Sequence, residues 1–318
     1  MKKIRWGIVS SGRIARQFAS DLQYVENAQL AAVAARRLSD AQQFSQDFNI
    51  AKAYEGYDAL FNDEQIDAIY VASPHSFHFE HSKAALEAGK HVLCEKPLTI
   101  SSEQCKALTD IASERGLLLM EAMWTYFLPA LQKAKSWFDA GKIGQLKHIK
   151  IDFGYPMPYD PNSREYAAEL AGGSLLDMGI YPLAICHYFS GDTLRDMYVR
   201  AHLADNGVDD DVVLMARSAG AQVNLASSFQ CRLENAAYII GDRGRIVIPD
   251  ACRASSCFLY ELDTVVEQYQ DPRKSLGYEF EARHFSKLVL DKQLESPVMP
   301  HKLSLLLQTQ MEQIKALF

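Results

Sequence analysis

The chain has few cysteines. Six stand in 318 residues: Cys94, Cys105, Cys186, Cys231, Cys252 and Cys257. None forms a C-x-x-C pair or has a histidine at zinc spacing, so neither a metal site nor a disulfide framework is signalled, and reduced, mostly buried thiols are expected. Basic charge is also short. With 33 Lys plus Arg against 40 Asp plus Glu the net charge is −7, which offers no footprint for phosphate backbones or anionic lipid. Gly and Pro, at 17 and 11, are too few for a collagen-like or low-complexity chain. The opening MKKIRWGIVSSG has two lysines, but its apolar run is too short for a signal segment or a membrane span. A cytoplasmic location is expected, with neither membrane nor nucleic acid as partner.

What remains is an ordinary globular composition, 48% hydrophobic, long enough for about two domains. The expected boundary is 1–122 and 123–318. In the first part short apolar runs alternate with amphipathic stretches, the pattern of a doubly wound parallel α/β sheet. Strands are expected at Ile4 to Val9, Leu30 to Ala35, and around Ile69, Leu93 and Leu119. Ile14, Phe18 and Leu22 share one face of the first helix. Gly89 and Gly116 stand where helices end in a left-handed residue. After Trp124 one helix precedes seven alternating segments, KHIKIDFGY through SCFLYEL, which predicts an α+β domain with a mainly antiparallel sheet. Tyr278 to Leu290 and Lys302 to Leu317 read as closing helices.

Three motifs carry chemistry. GIVSSGRIA, Gly7 to Ala15, lies between the first strand and first helix, where a dinucleotide turn needs a close backbone approach and the amides of a helix N-terminus. Gly12 fills the middle position of GxGxxG, Ser10 and Ala15 replace the outer glycines, and Arg13 and Ile14 open the helix. At the end of the second strand, AVAARRLS puts Ala35 where a 2′-hydroxyl-binding acid is expected and follows it with Arg36, Arg37 and Ser39. These are donors for a 2′-phosphate, so NADP is expected over NAD; a solvated basic pair reads the same way.

The second motif, HVLCEKPLT, runs the fifth strand into Glu95, Lys96 and Pro97, at the sheet edge that lines a cofactor crevice. Pro97 fixes the turn and allows a cis bond. Read alone, EKP also suits an ordinary turn with a surface lysine. In the third, AGGSLLDMGIYP, Asp177 and Tyr181 fall four apart on one helix face. A phenol serves as acid or base near neutrality only beside a cation that favours the phenolate, and Lys96 is the candidate. A packed Asp and Tyr fit the pattern too.

Together with LMEAMWTYFLPA, GVDDDVVL and ESPVMP, these motifs resemble the glucose-fructose oxidoreductase, inositol dehydrogenase and MocA family over essentially the whole chain. The resemblance implies a Rossmann domain followed by an α+β domain whose open sheet faces a partner in a homodimer. It implies that Lys96 contacts the nicotinamide ribose and the reacting oxygen, that Tyr181 is the general acid/base and that Asp177 orients substrate. Histidine replaces this tyrosine in most relatives. His78, Ser73, Pro74 and His75 would line the cofactor loop, and Trp124 and Tyr126 would close over substrate beside Tyr155 and Tyr159. The activity implied is hydride transfer between NADP and the C-OH or C=O of a sugar, polyol or trans-dihydrodiol. Sugar-to-sugar transfer on a retained cofactor, reduction of a keto- or anhydro-sugar, and NADPH sensing without turnover stay open as alternatives.

Overall fold

A computed structural model describes residues 2–318; Met1 lies outside them. The chain forms two compact units, one of residues up to Trp124 with Arg273–Leu305, the other of Thr125–Pro272 with Leu306–Phe318. The first unit thus takes back a segment beyond Pro272, which a single boundary at 122/123 does not include.

In the first unit β1 (Ile4–Val9), β2 (Ala28–Ala35), β3 (Lys52–Glu55), β4 (Ala68–Val71), β5 (His91–Glu95) and β6 (Leu119–Ala122) form one sheet in the order β3-β2-β1-β4-β5-β6. Every pairing is parallel. Between the strands run α1 (Arg13–Leu22), α2 (Leu38–Asp47), α3 (Asp58–Phe61), α4 (His78–Glu87) and α5 (Ser102–Arg115). The strands read as apolar runs because helices cover the sheet: Ile8, Val33, Ile69, Leu93 and Leu119 are fully buried. The capping residues behave as their chemistry asks. The Ser101 hydroxyl accepts from Gln104 N at the start of α5, and Gly116 ends it in the left-handed region. The brief strand β3 and α2, with its weaker apolar pattern, were not anticipated.

The second unit opens with α6 (Pro129–Asp139) and β7 (Leu146–Gly154), followed by α7 (Ile180–Ser190). Then come β8 (Arg195–Leu203), β9 (Asp209–Ser218), β10 (Ala221–Ser228), β11 (Ala237–Gly241), β12 (Arg245–Ile248), β13 (Ser256–Glu261) and β14 (Thr264–Gln270). They make an eight-stranded sheet, β14-β13-β12-β11-β7-β10-β9-β8, antiparallel except where β10 pairs parallel with β7. β14 was not expected; its half-exposed edge position removes the apolar alternation that marks the others. On β9, Val212, Leu214 and Ala216 point inward while Val213 and Met215 face out, the period of a sheet covered on one side. α7 is apolar all round and buried, packed on β7 and β10.

The chain closes with α8 (Tyr278–Leu290) and α9 (His301–Lys315). α8 packs on α1, β1 and β2 of the first unit, where Trp6 lies in tilted contact with Phe18 and Phe285 and donates from its indole N–H to Ser286 Oγ at 3.2 Å. The Asp21 carboxylate takes the amides of Gly277 and Tyr278 at 2.8 and 2.9 Å, which caps α8 from the end of α1.

Candidate active site

The strand order of the first unit reverses direction between β1 and β4, and the loops at the carboxyl ends of β1, β2, β4 and β5 therefore gather on one edge of the sheet. After β1, Ser10 adopts φ 93°, a conformation usually left to glycine, and its hydroxyl accepts from Gly12 N at 3.2 Å. Gly12 caps α1 without a side-chain bond, and the first turn holds no carboxylate. A Cβ on Gly12 would meet only Ser10 Oγ, at 3.5 Å, so the space over these amides is open to an anion. The turn fits a dinucleotide pyrophosphate.

After β2, Arg36, Arg37 and Ser39 are exposed. Arg37 is already held by Asp40 through bonds of 2.8 and 3.0 Å. Arg36 lies by Tyr57, whose phenol is pushed up by burial and drawn back by this guanidinium. After β4, Ser73, His75 and His78 are buried and Pro74 is half-buried. The His78 ring bridges two turns, Nδ1 to the Pro97 carbonyl at 2.7 Å and Nε2 to the Ser73 carbonyl at 2.9 Å.

After β5 the Lys96–Pro97 bond is cis. Side chains hold this turn by its backbone: Glu95 Oε2 accepts from Lys96 N at 3.3 Å, and Glu121 Oε1 accepts from Leu98 N at 2.9 Å. With the His78 contact, three successive residues are fixed from the side. Tyr70 donates its hydroxyl to Glu95 Oε1 and stacks on Phe18 at 3.8 Å. Glu281, from α8, is fully buried beside this network, and neither of its oxygens has a hydrogen-bond partner. Burial first, then the charge of Glu95, raises its carboxyl well above the usual range. The Tyr70 phenol is raised by burial and then by Glu95 and Glu281. Burial also raises Glu121, against Ser304, the Leu98 amide and the nearby Lys96 charge.

The second unit carries Asp177 and Tyr181. Leu175–Gly179 is a π-helical turn running directly into α7, so the two residues are separated by a widened i→i+5 turn rather than by regular α-helical spacing. Asp209, from GVDDD, anchors the turn: its buried carboxylate accepts from Leu175 N at 2.7 Å and from Ser174 Oγ at 3.2 Å. Burial raises the Asp209 carboxyl and these donors oppose the rise. Gly173, at φ 130°, lets the chain pass Asp209, because a Cβ there would lie 2.5 Å from Oδ1. The Asp177 carboxylate pairs with Arg164 at 2.7 Å. Tyr181 is 8% exposed and meets the edge of Phe153, with ring centroids 5.5 Å apart.

Ser10, Gly12, Arg13, Ile14, Arg36, Arg37, Ser39, Ser73, Pro74, His75, His78, Glu95, Lys96 and Trp124 belong to the first unit, and Tyr126, Asp177 and Tyr181 to the second. Trp124 is stacked on Tyr278 at 4.5 Å. Tyr126 is wholly buried and donates to the Ala184 carbonyl at 2.6 Å, so it packs α7. Tyr155 has the guanidinium groups of Arg232 and Arg253 within 5.6 and 5.5 Å of its ring, and Tyr159 lies against Tyr166. Arg164, Asp209, Tyr70 and Glu281 were not singled out. Only Asp209 left a trace, in the run of three aspartates. An apolar hollow beside the π-turn, walled by Leu175, Pro182, Leu183, Leu214 and Ile314, contains no titratable side chain. Among the described residues no group of three or more His, Cys, Asp or Glu could hold a metal ion, and no helix is long and apolar enough to cross a membrane.

Residues 4–123 match the model of an oxidoreductase family with an NAD-binding Rossmann fold, GFO/IDH/MocA, and residues 131–247 match that family's C-terminal domain. The chain belongs to the GFO/IDH/MocA family and is an NAD(P)-dependent oxidoreductase acting on CH-OH groups. It is 35% identical over 306 residues to the trans-1,2-dihydrobenzene-1,2-diol dehydrogenase of Xenopus laevis, with 93% of this chain and 92% of that one covered. With the enzyme of the same name from Macaca fascicularis it shares 33% over 325 residues, covering 98% and 96%. A solved 3-ketoreductase of Actinomadura kijaniata in complex with NADP and TDP-benzene has a TM-score of 0.89 at 29% identity, covering 99% and 98%. The aldose-aldose oxidoreductase of Caulobacter crescentus shares the fold, with a TM-score of 0.90 at 23% identity and 99% and 97% covered.

Proposed function

We propose that the protein oxidises a carbinol of a small sugar, polyol or cyclic trans-diol, and reduces the matching carbonyl, with NADP as its cofactor. The carrying observation is that Lys96 directly follows β5 on the same sheet edge as the Gly12 turn, on a backbone pinned at Lys96, Pro97 and Leu98. The amides after Gly12 would hold the pyrophosphate, and Arg36, with Ala35 in place of an acid, would take the 2′-phosphate. When bound, NADP supplies the hydride acceptor or donor. Tyr181 takes the hydroxyl proton as phenolate and returns it in reduction. Lys96 favours that phenolate and holds the reacting oxygen, and Asp177 accepts from a neighbouring hydroxyl. The activities named for the dihydrodiol dehydrogenase of Xenopus laevis and for the 3-ketoreductase of Actinomadura kijaniata support a hydroxyl-to-carbonyl reaction of this kind.

The reading includes a homodimer through the outer face of the eight-stranded sheet. Tyr198 and Met215 are cross-strand neighbours there, 54% and 51% exposed, with Val213 two residues along β9, an apolar patch suited to a second copy of the same surface.

Tyr181→Phe and Lys96→Met test the chemistry. Each is expected to bind NADPH, followed by its fluorescence, and to lose about a hundredfold or more in turnover of pentoses, hexoses or cyclic trans-diols. Parental turnover by Tyr181→Phe would overturn the mechanism.

A further inference from the structure

Arg164 stands in the connection between β7 and the π-turn, a stretch whose only regular element among the described residues is a 3₁₀ turn at Ala168–Leu170 and which is nevertheless tightly anchored. Its first residues are tied to β10 and the turn after it: Tyr155 N and Met157 N donate to the Ser228 and Phe229 carbonyls at 3.0 and 2.7 Å. Tyr166 is buried, donates its hydroxyl to the Met157 carbonyl at 3.2 Å, and its own carbonyl accepts from Asn206 Nδ2 at 2.7 Å. Around Arg164 itself the backbone is doubly closed, with Ala167 N on the Ser163 carbonyl at 2.7 Å and Gly173 N on the Glu165 carbonyl at 2.9 Å. Gly172 permits this approach, since a Cβ there would lie 2.6 Å from Glu165 O.

A long, flexible side chain is thus launched from a fixed base, which lowers the entropy lost when its guanidinium settles on one partner. A partner it reaches is Asp177 Oδ1, at 2.7 Å, with the Asp177 side chain 17% and the Arg164 side chain 37% exposed. The backbone that carries the carboxylate is held as well, because Asp209 anchors the turn on which it rides and Asp177 N donates to the Gly173 carbonyl at 3.1 Å. A half-buried, charge-assisted pair between two anchored segments is a stronger constraint than a surface ion pair.

We infer that Arg164 is a positioning residue that sets the plane of the Asp177 carboxylate, and through it the preference for substrates with a second hydroxyl beside the reacting carbinol. This rests on the reading above, in which Asp177 accepts from substrate. A carboxylate offers about four acceptor sites, and the guanidinium decides which of them are turned towards a hydroxyl. A carbinol without that neighbour gains nothing from the arrangement, so Arg164 acts on KM for diols and polyols and leaves the proton and hydride steps to other groups.

The test compares the parent, Arg164→Gln and Arg164→Lys on trans-cyclohexanediol and on cyclohexanol with NADP⁺, beside Tyr181→Phe. Arg164→Gln is expected to raise KM for the diol about 10- to 100-fold with kcat within about threefold of the parent, and to leave cyclohexanol and NADPH affinity unchanged. Arg164→Lys, which restores charge without the planar fork, should give an intermediate KM. Arg164→Gln with parental diol KM, beside an inactive Tyr181→Phe, would overturn the role of Arg164 and leave the hydride-transfer reading standing. A fully active Tyr181→Phe would sink both.

Discussion

Glu281→Gln is expected to change how stability depends on pH, with a sign and slope that follow from the burial of this one side chain. Folding takes Glu281 out of water with neither oxygen hydrogen-bonded, beside Glu95, so the folded protein holds its carboxyl as the acid well above the ordinary 4.5. The unfolded chain releases that proton above pH 4.5. Between the two pKa values the native state carries one proton more, and stability falls as pH rises, by about 1.4 kcal/mol per pH unit. Below the unfolded value the contribution is fully present; it is lost as pH climbs through the folded one.

Glutamine has the shape of the neutral acid and cannot ionise. The variant should therefore gain on the parent by up to about 1.4 kcal/mol for each pH unit, until the native carboxyl itself ionises and the difference levels off. For a cooperative unit of this size that corresponds to about 3–6 °C per pH unit in melting temperature. The assay is thermal unfolding of both proteins between about pH 5 and 8, read as the difference in melting temperature. Taking the difference cancels the other groups, including Glu279, which burial also raises. Any constant offset reports the packing of the amide. A difference that is flat across the range would refute the claim that Glu281 is buried as a proton-bearing acid.

Arg36→Ala should raise KM for NADP⁺ about 10- to 100-fold while changing KM for NAD⁺ only slightly, because one charge-assisted contact to a phosphate is removed; steady-state kinetics with both cofactors checks it. Equal changes for the two cofactors would place the 2′-phosphate elsewhere. Met215→Arg puts a charge in the middle of the apolar patch and, by symmetry, a second one across from it; sedimentation should show the proposed dimer shifted to monomer at micromolar concentration. An unchanged assembly, or a monomeric parent, would remove that face from the account.

The parts of the fold legible in the sequence are those where one physical signal dominates. Parallel strands buried on both faces show as apolar runs, and so β1, β2, β4, β5 and β6 were found while β3, partly exposed along its length, was not. On β9 the alternation holds from Val212 to Ser218; on β14 apolar alternation is absent, and the strand was missed. The return of α8 to the first unit was not readable, because an amphipathic helix shows that it has a buried face but not which sheet covers it. The spacing of Asp177 and Tyr181 suggested regular α-helix, yet Leu175–Gly179 closes as a π-turn, and no period in so short a segment separates the two. Arg164 escaped for a different reason. Its role is set by Asp177, thirteen positions away along an irregular chain, and no local pattern links them.

Several side chains around the site, some singled out in the sequence and some not, have a feature in common. Side chains of catalytic type act here on the main chain. His78 serves the Pro97 carbonyl, Glu95 the Lys96 amide, Glu121 the Leu98 amide and Asp209 the Leu175 amide. An amide or carbonyl left unpaired in such buried places costs about 1–3 kcal/mol, so a well-made bond to it fixes the backbone firmly. The turn bearing Lys96 is held by three such contacts, and the turn bearing Asp177 is held at the amide of its first residue, Leu175. Geometry at the proposed reacting groups is therefore set by side chains that need take no proton from substrate. Sequence shows the chemical type of a Glu, His or Asp; whether it faces a ligand or a peptide group is decided by which backbone the fold brings beside it.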